Sequence, residues 1–385
     1  MRVLFVHYGG PKLAGSEIAL LELLGGLRHK GIVPFLWCNA LPMEQAARDL
    51  GIPVWRDRFA HYLDYSSPPF SFSGYRQLVK KGAALISETK AGIVVCNSAA
   101  PAQWMSLACW RRGVPWLVYM HSRYLKRSRY VLGIHLADEI VAVASAITRP
   151  LLVDGIEPDR ISVIHNGFDE AKLLEGQAKD LRAELSIPSQ TVVGAIAGSL
   201  LRLKGHDIVF DAMRLLPEPP PMLVIGDGPE RASLEAQATG LPVHFLGHRA
   251  NLGAILRDAA DFLVAPSRQE AFGRVIIEAA FAGIPAIGAD IEGIPEAISD
   301  NATGLLVPPE SPKSLAGAMA RLIADPDLRT RLGAAARQNA KAQFSIAKVT
   351  ADMAEILERT AKRRRAKFFP SRRPYTNLLF GRAAP

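Results

Sequence analysis

Twelve short apolar runs, each four to six residues long, alternate with amphipathic stretches along this 385-residue chain. Near-continuous apolar strands are buried on both faces, and strand–helix alternation is the pattern of parallel sheets covered by helices. In the first half the runs lie at residues 3–7, 33–38, 93–97, 116–120, 140–144 and 162–165. In the second half they lie at 192–197, 222–226, 243–246, 262–265, 285–288 and 304–307. The clearest helical patterns between them are 16–30, 206–216 and 312–324, the last opening on a Ser311-Pro312 cap and first-turn pair. The expected fold class is α/β, in two parallel-sheet units.

The boundary between the units is expected near Asn166-Gly167, a turn signal followed by a polar helical stretch to about residue 186. A long helix from Ile346 to about Lys362, with Ser345 as its cap, closes the fold. The expected organisation is a first domain at 1–168, a second at 169–345, a C-terminal helix at 346–362 that returns toward the first domain, and a basic tail at 363–385.

Hydrophobic content of 49% and charged content of 22% are ordinary for globular chains, and the length suits two domains with a core each. The three cysteines, Cys38, Cys96 and Cys109, are far apart and lack metal-ligand spacing, which suggests reduced thiols in a cytoplasmic protein. The N-terminus runs straight into a short strand rather than a signal peptide, and no run of 18 apolar residues occurs.

Net charge is +9, but its excess sits at one end. The last 27 residues carry nine cations (Arg359, Lys362, Arg363, Arg364, Arg365, Lys367, Arg372, Arg373 and Arg382) and no acid. They are mixed with Phe368, Phe369, Tyr375, Leu378, Leu379 and Phe380, a composition that suits an anionic membrane surface. A solvated tail with no partner is the competing reading. No nucleic-acid motif accompanies the charge, so no nucleic-acid partner is expected.

Chemistry concentrates at the ends of strands. In the run Gln269-Glu-Ala-Phe-Gly-Arg-Val-Ile-Ile-Glu278, Glu270 lies in a loop just past an apolar strand and Glu278 about one turn into the next helix. Open α/β sheets bind ligands at the carboxyl ends of their strands. Helix N-termini attract phosphate, and carboxylates accept hydrogen bonds from sugar hydroxyls. Both at one place suggest a sugar nucleotide. The plainer reading is that Glu278, among Val275, Ile276, Ile277, Ala279 and Phe281, is a buried acid paired with an arginine.

Three other segments occupy comparable positions. Gly198-Ser-Leu-Leu-Arg-Leu-Lys-Gly205 places Arg202 and Lys204 between a strand and a helix, where a phosphate would lie. It is not a Walker A loop, because the lysine precedes the final glycine, and a solvated turn is the alternative. Gly9-Gly10-Pro-Lys-Leu-Ala-Gly15-Ser16-Glu17 follows the first strand and opens the first helix, without the spacing of the dinucleotide fingerprint. His121 ends the run 116–120 and precedes Arg123, Lys126, Arg127 and Arg129. It reads equally as a substrate contact and as a satisfied structural histidine. The cations after it read as a basic helix facing solvent, acidic acceptors or lipid head groups.

Taken together, these residues resemble the retaining GT-B glycosyltransferases of glycosyltransferase family 4, over nearly the whole chain and most strongly from about Ile161 to Ala347. Glu270 and Glu278 fit that family's Glu-x7-Glu motif, and residues 163–169, 222–230, 243–247, 293–296 and 304–308 look like its other landmarks. The resemblance implies two Rossmann-like domains facing across a cleft that holds the donor. It implies that Glu278 binds the nucleotide ribose and Glu270 the donor sugar, with Phe272, Gly273, Arg274 and Val275 beside them. Arg202 and Lys204 would clamp the diphosphate, Gly15 would offer it a backbone N–H, and His121 would sit near the reacting sugar. The implied reaction moves a sugar from a UDP- or GDP-sugar to a sugar or lipid-linked glycan acceptor, with retention and with neither metal nor cofactor. Envelope or exopolysaccharide synthesis, peripheral to the inner face of the membrane, would be its setting.

Three positions depart from the family pattern: Ser199 where it usually has arginine, Ala14 where it has a glycine, and Glu292-Gly293 where it has Gly-Gly. The first would leave Arg202 to supply the missing charge. Two other functions use the same architecture, a nonhydrolysing sugar-nucleotide epimerase, which needs no acceptor, and a non-catalytic sugar-nucleotide binder. An NAD dehydrogenase is set aside for want of the glycine fingerprint.

Overall fold

The computed structural model describes residues 1–59 and 71–362. They divide into two units, one formed by Met1–Gly167 with the chain from Ile346 onward, the other by Phe168–Ser345.

In the first unit, β1 (Arg2–His7), β2 (Val33–Cys38), β3 (Val54–Arg56), β4 (Ile93–Asn97), β5 (Trp116–Met120), β6 (Glu139–Ala142) and β7 (Ile161–Val163) form one parallel sheet. Its order is β3-β2-β1-β4-β5-β6-β7, so the direction of winding reverses between β1 and β4. The side chains of β4 and β5 are buried throughout, as helices on both faces require. Sequence pattern misses β3, a three-residue edge strand whose residues are half-buried or exposed and show no apolar run. It also starts β6 one residue late, because the buried first residue is Glu139, a carboxylate that accepts from Ser162 and pairs with Arg359 at 2.7 Å.

The second unit holds β8 (Gly194–Ala197), β9 (Met222–Ile225), β10 (Val243–Gly247), β11 (Phe262–Ala265), β12 (Ala286–Ala289) and β13 (Gly304–Val307). They pair in parallel in the order β10-β9-β8-β11-β12-β13, which puts the reversal between β8 and β11. Phe210, Val224, Phe262, Leu315 and Met319 belong to one buried cluster between this sheet and its helices. Each such side chain contributes about 1.5–3 kcal/mol by leaving water. The polar stretch before β8 is not one helix but two single turns, Glu170–Leu173 and Leu181–Glu184. Leu181 is the one residue the two turns bury, too little apolar surface to offset the cost of helix nucleation over a longer span.

The last helix, Ile346–Lys362, belongs to the first unit. It packs against the helix Gly15–His29 and buries Val349, Met353, Ile356 and Leu357. Cys38, Cys96 and Cys109 are buried free thiols. No described helix is long and apolar enough to cross a membrane.

Candidate functional site

Two loops leave the second sheet on either side of its reversal. The one after β8 ends in the 3-10 turn Arg202–Lys204 and enters the helix His206–Arg214. The one after β11 ends at Gly273 and enters the helix Arg274–Ala282. They are pressed together at Gly205, whose φ is +73° and where a Cβ would lie 2.3 Å from the Pro266 oxygen. Glycine alone meets both demands.

Lys204 Nζ lies 2.5 Å from Glu270 Oε2, and Ser267 Oγ donates to the same oxygen at 3.4 Å. Arg202, in the same turn as Lys204, is exposed. Its main-chain oxygen accepts from Arg268 Nη1 at 2.8 Å, while that guanidinium grips both carboxylate oxygens of Asp207 and reaches Glu310 at 2.7 Å. Arg268 thus ties the two loops to the start of one helix. Those hydrogen bonds hold the Asp207 carboxyl below its usual range against the upward push of burial.

Glu270 is fixed from the backbone side as well. Its N–H donates to Glu292 Oε2 at 2.9 Å. Glu292 itself has φ +44°, a left-handed conformation that a non-glycine residue adopts only under constraint. One of the family departures read from the sequence therefore keeps the backbone shape of a glycine and adds a carboxylate that anchors Glu270.

Glu278, one turn into the next helix, has 13% of its side chain exposed and lies 3.9 Å from Arg274 Nη2. Burial raises its carboxyl above the ordinary value, and attraction to Arg274 offsets part of that rise. The Arg274 guanidinium stacks 4.3 Å above the Phe168 ring. Gly273 precedes this helix and Val275 is half-buried within it. Phe272 is 2% exposed, its ring edge-on to Phe344 at 5.4 Å, so its side chain belongs to the core.

A second polar cluster lies at the reversal of the first sheet. His7 ends β1, Asn97 ends β4 and His121 follows β5. His121 Nε2 is 2.8 Å from Asn97 Oδ1, Asn97 Nδ2 is 3.0 Å from His7 Nδ1, and His7 Nε2 is 3.1 Å from Glu17 Oε1. Glu17 also accepts from Ala14 N at 3.2 Å and from Ser16 Oγ at 2.9 Å, beside Gly15, the first residue of its helix. Burial pushes the Glu17 carboxyl up, but the hydrogen bond and charge attraction of His7, with the Ser16 hydrogen bond, outweigh it and hold it at about 2.

Sequence reasoning named His121 as a site candidate but not its partners His7 and Asn97, nor Arg268 and Asp207 around Lys204, and it met Glu17 only as the end of a glycine-rich segment and Glu292 only as a family departure. Their signal was positional, since His7 and Asn97 each close a buried apolar strand with a hydrogen-bonding side chain. The basic group after His121 divides. Arg123, Lys126 and Arg127 are exposed, but Arg129 is 6% exposed and bound to Asp154 through Nε at 2.6 Å and Nη2 at 2.8 Å. Burying a guanidinium requires such a partner, and this one removes Arg129 from any docking face.

Among the described residues no cluster of three or more His, Cys, Asp or Glu is arranged to hold a metal ion.

Residues 13–172 match the family model described as Glycosyltransferase Family 4, and residues 177–339 the one described as Glycosyl transferases group 1. The D-inositol 3-phosphate glycosyltransferase of Jonesia denitrificans is 34% identical over 224 residues, which is 53% of this chain and 52% of that protein. The chain thus spans about half the length of several curated relatives it matches. The enzyme of the same name from Xylanimonas cellulosilytica is 31% identical over 400 residues, covering 93% of this chain and 95% of its own. In fold, the chain is similar to Anabaena Alr3699/HepE in complex with UDP-glucose, with a TM-score of 0.79 and 22% identity over 93% of this chain and all of that one.

Proposed function

The chain belongs to the group 1 glycosyltransferases, and on that premise we propose that it moves a sugar from a nucleotide-sugar donor to an acceptor hydroxyl with retention of configuration. The observation that carries this reading is the meeting of Lys204 and Glu270 at the reversal of the second sheet, with the helix Arg274–Ala282 opening beside them. A cation for phosphate and a carboxylate for sugar hydroxyls are the two groups a nucleotide sugar requires.

The second unit takes the donor. Lys204 and Arg202 meet the diphosphate, Glu270 the sugar hydroxyls and Glu278 the ribose. As the bond to the leaving phosphate breaks, negative charge grows on the nucleoside diphosphate. Preorganised cations and N–H groups stabilise that charge without a metal. The leaving phosphate is the proton acceptor for the attacking hydroxyl. The first unit takes the acceptor, with His121 near the reacting sugar, and Gly15 offers a backbone N–H to the diphosphate.

The donor is a UDP- or GDP-sugar. For the acceptor, sugars and lipid-linked glycans stand beside phosphorylated inositol, after which the related D-inositol 3-phosphate glycosyltransferases are named. The test is transfer from a panel of UDP- and GDP-sugars to these three acceptor classes, in EDTA, with the anomeric configuration of the product read by NMR. Donor conversion without acceptor would point to an epimerase instead. Binding without turnover of any donor, or a strict need for Mg²⁺ or Mn²⁺, would also overturn the reading.

A further inference from the structure

We propose that Arg268 is a positioning residue: it holds the turn that carries Lys204 against the loop that carries Glu270, and its own charge is taken up by two carboxylates rather than offered to phosphate. The proposal rests on the reading of Lys204 as the cation that meets the diphosphate of the donor.

The turn Arg202–Lys204 has little of its own to fix its shape. It is three residues of 3-10 helix with none of its side chains buried. Within it, Lys204 N–H donates to Leu201 O at 2.9 Å and Gly205 N–H to Arg202 O at 3.2 Å. Short 3-10 turns have poorly aligned hydrogen bonds, so outside contacts decide how rigid they are. Arg268 supplies such contacts twice. Its main-chain N–H donates to Leu203 O at 2.8 Å, and its Nη1 donates to Arg202 O at 2.8 Å. Leu203 O belongs to the peptide unit that leads into Lys204. Glu270 stands two residues after Arg268. One residue thus fixes both the turn that presents the cation and the start of the segment that presents the carboxylate.

The guanidinium is fully engaged. Nη1 and Nη2 donate to Asp207 Oδ1 and Oδ2 at 2.8 and 2.7 Å, and Nε donates to Glu310 Oε1 at 2.7 Å. Paired N–H donors on both oxygens of one carboxylate are a geometry that arginine provides and lysine does not. Asp207 lies in the first turn of the helix His206–Arg214, so the same grip sets the Lys204 turn against the helix it enters. Every nitrogen of the guanidinium already meets a carboxylate, and a phosphate at Arg268 would have to displace one. Lys204 differs in kind. As a point charge on a flexible stem, it can swing from Glu270 to a phosphate while its backbone stays in place. Arg268 cannot leave Asp207, Glu310 and Arg202 O without releasing the turn.

The test uses the full-length protein. Hydrogen exchange read by mass spectrometry over residues 201–206 reports on the turn independently of turnover. Arg268→Met, which keeps the stem and removes every side-chain donor, should speed exchange there and leave β8 and β11 protected. It should lower kcat about 10²-fold, the scale of a misplaced catalytic group, with donor KM little changed. In a Lys204→Ala background the same substitution should cost less than about 3-fold, because residues that act as one unit do not add. Arg268→Lys keeps the charge without the fork, so it should share the loss, whereas a phosphate ligand would keep most of its rate. Asp207→Asn should move exchange and kcat in the same direction by less, and it carries the test if Arg268→Met does not fold. Unchanged exchange over 201–206 in Arg268→Met, a near wild-type rate in Arg268→Lys, or the full loss recurring in the Lys204→Ala background overturns the proposal. So does exchange that rises equally across the whole second unit with a fall in Tm, which would mark a structural role alone. Wild-type protein that transfers no sugar would instead defeat the proposed function, while exchange still decides whether Arg268 holds the turn.

Discussion

Lys204 and Glu270 share one hydrogen bond of 2.5 Å between loops that leave adjacent strands. Their side chains expose 26% and 15% of their surfaces, so solvent reaches both. On the proposed function, each therefore occupies the group that would otherwise recruit half of a nucleotide sugar. A phosphate arriving at Lys204 competes with Glu270, and a sugar hydroxyl arriving at Glu270 competes with Lys204. A ligand carrying both groups compensates both partners at once, whereas free phosphate or free sugar leaves one of them uncompensated. On that reading the pair should favour the intact donor over its fragments.

Removing the cation should be severe. Lys204→Ala should cut turnover about 10²–10³-fold, as for the loss of one preorganised charge-stabilising donor. Lys204→Arg should recover part of it, and Glu270→Ala should depress turnover more than donor affinity. Steady-state transfer assays check all three variants, and wild-type rates in Lys204→Ala would remove this residue from the diphosphate site.

Glu278 should trade stability for binding. Its carboxyl is raised by burial, with Arg274 opposing. A carboxyl raised in the folded chain contributes stability below its unfolded value and loses that contribution as pH rises through the folded one. A charge on this carboxyl is therefore a cost, which Glu278→Gln removes. That variant should melt no lower than wild type at neutral pH. Glu278→Ala should weaken nucleotide binding by about 1.5–3 kcal/mol, the range for a charged hydrogen bond. Calorimetric titration with UDP and GDP, run beside thermal melts, tests both. Unimpaired nucleotide binding by the alanine variant would leave Glu278 as an ordinary buried acid.

Glu17 titrates in the opposite sense. Its folded value of about 2 lies below the ordinary 4.5, so its contribution is present above 4.5 and is lost as pH falls toward 2. The shift corresponds to roughly 3 kcal/mol at most, since one pKa unit is about 1.36 kcal/mol. Wild type should lead Glu17→Gln in chemical denaturation at neutral pH, with the lead shrinking across that acid window. A gap between the two that does not change with pH would mean Glu17 is not held low by His7.

The basic tail gives a separate expectation. Residues 363–385 lie outside the described structure. Of the nine cations counted from the sequence, Arg359 is committed to Glu139 at 2.7 Å. Each remaining cation that reaches an anionic surface contributes about 1 kcal/mol. Leu125, 80% exposed between Arg123 and Lys126, would add an apolar contact on the first unit if that surface engages. Full-length protein should sediment with anionic vesicles at low salt, and deletion beyond Lys362 should release it without altering donor binding. Failure of the full-length chain to bind such vesicles ends the membrane reading and leaves the transferase assignment untouched.

The alternation of apolar runs made both sheets legible, because a strand buried on two faces must be apolar along its length. That rule fails at polar or short strands, which is why β3 and the Glu139 start of β6 escaped it. Glu270 and Glu278 stood out for a related reason, since acids at a strand end and in an apolar helix contradict their surroundings. Arg129 misled, because a cation in a basic run looks solvated until Asp154, 25 residues on, is seen to bury it.

By itself, then, the sequence determined the two α/β units and the residues at their strand ends, through local burial and periodicity. Tertiary structure alone decided which of those residues meet. His7 reaches Asn97 across 90 residues, Lys204 reaches Glu270 across 66, and Glu292 reaches the Glu270 backbone across 22. Side-chain chemistry says what each group can bond to. Only the order of strands in a sheet, set by non-local pairing, brings the carboxyl end of one strand beside that of another.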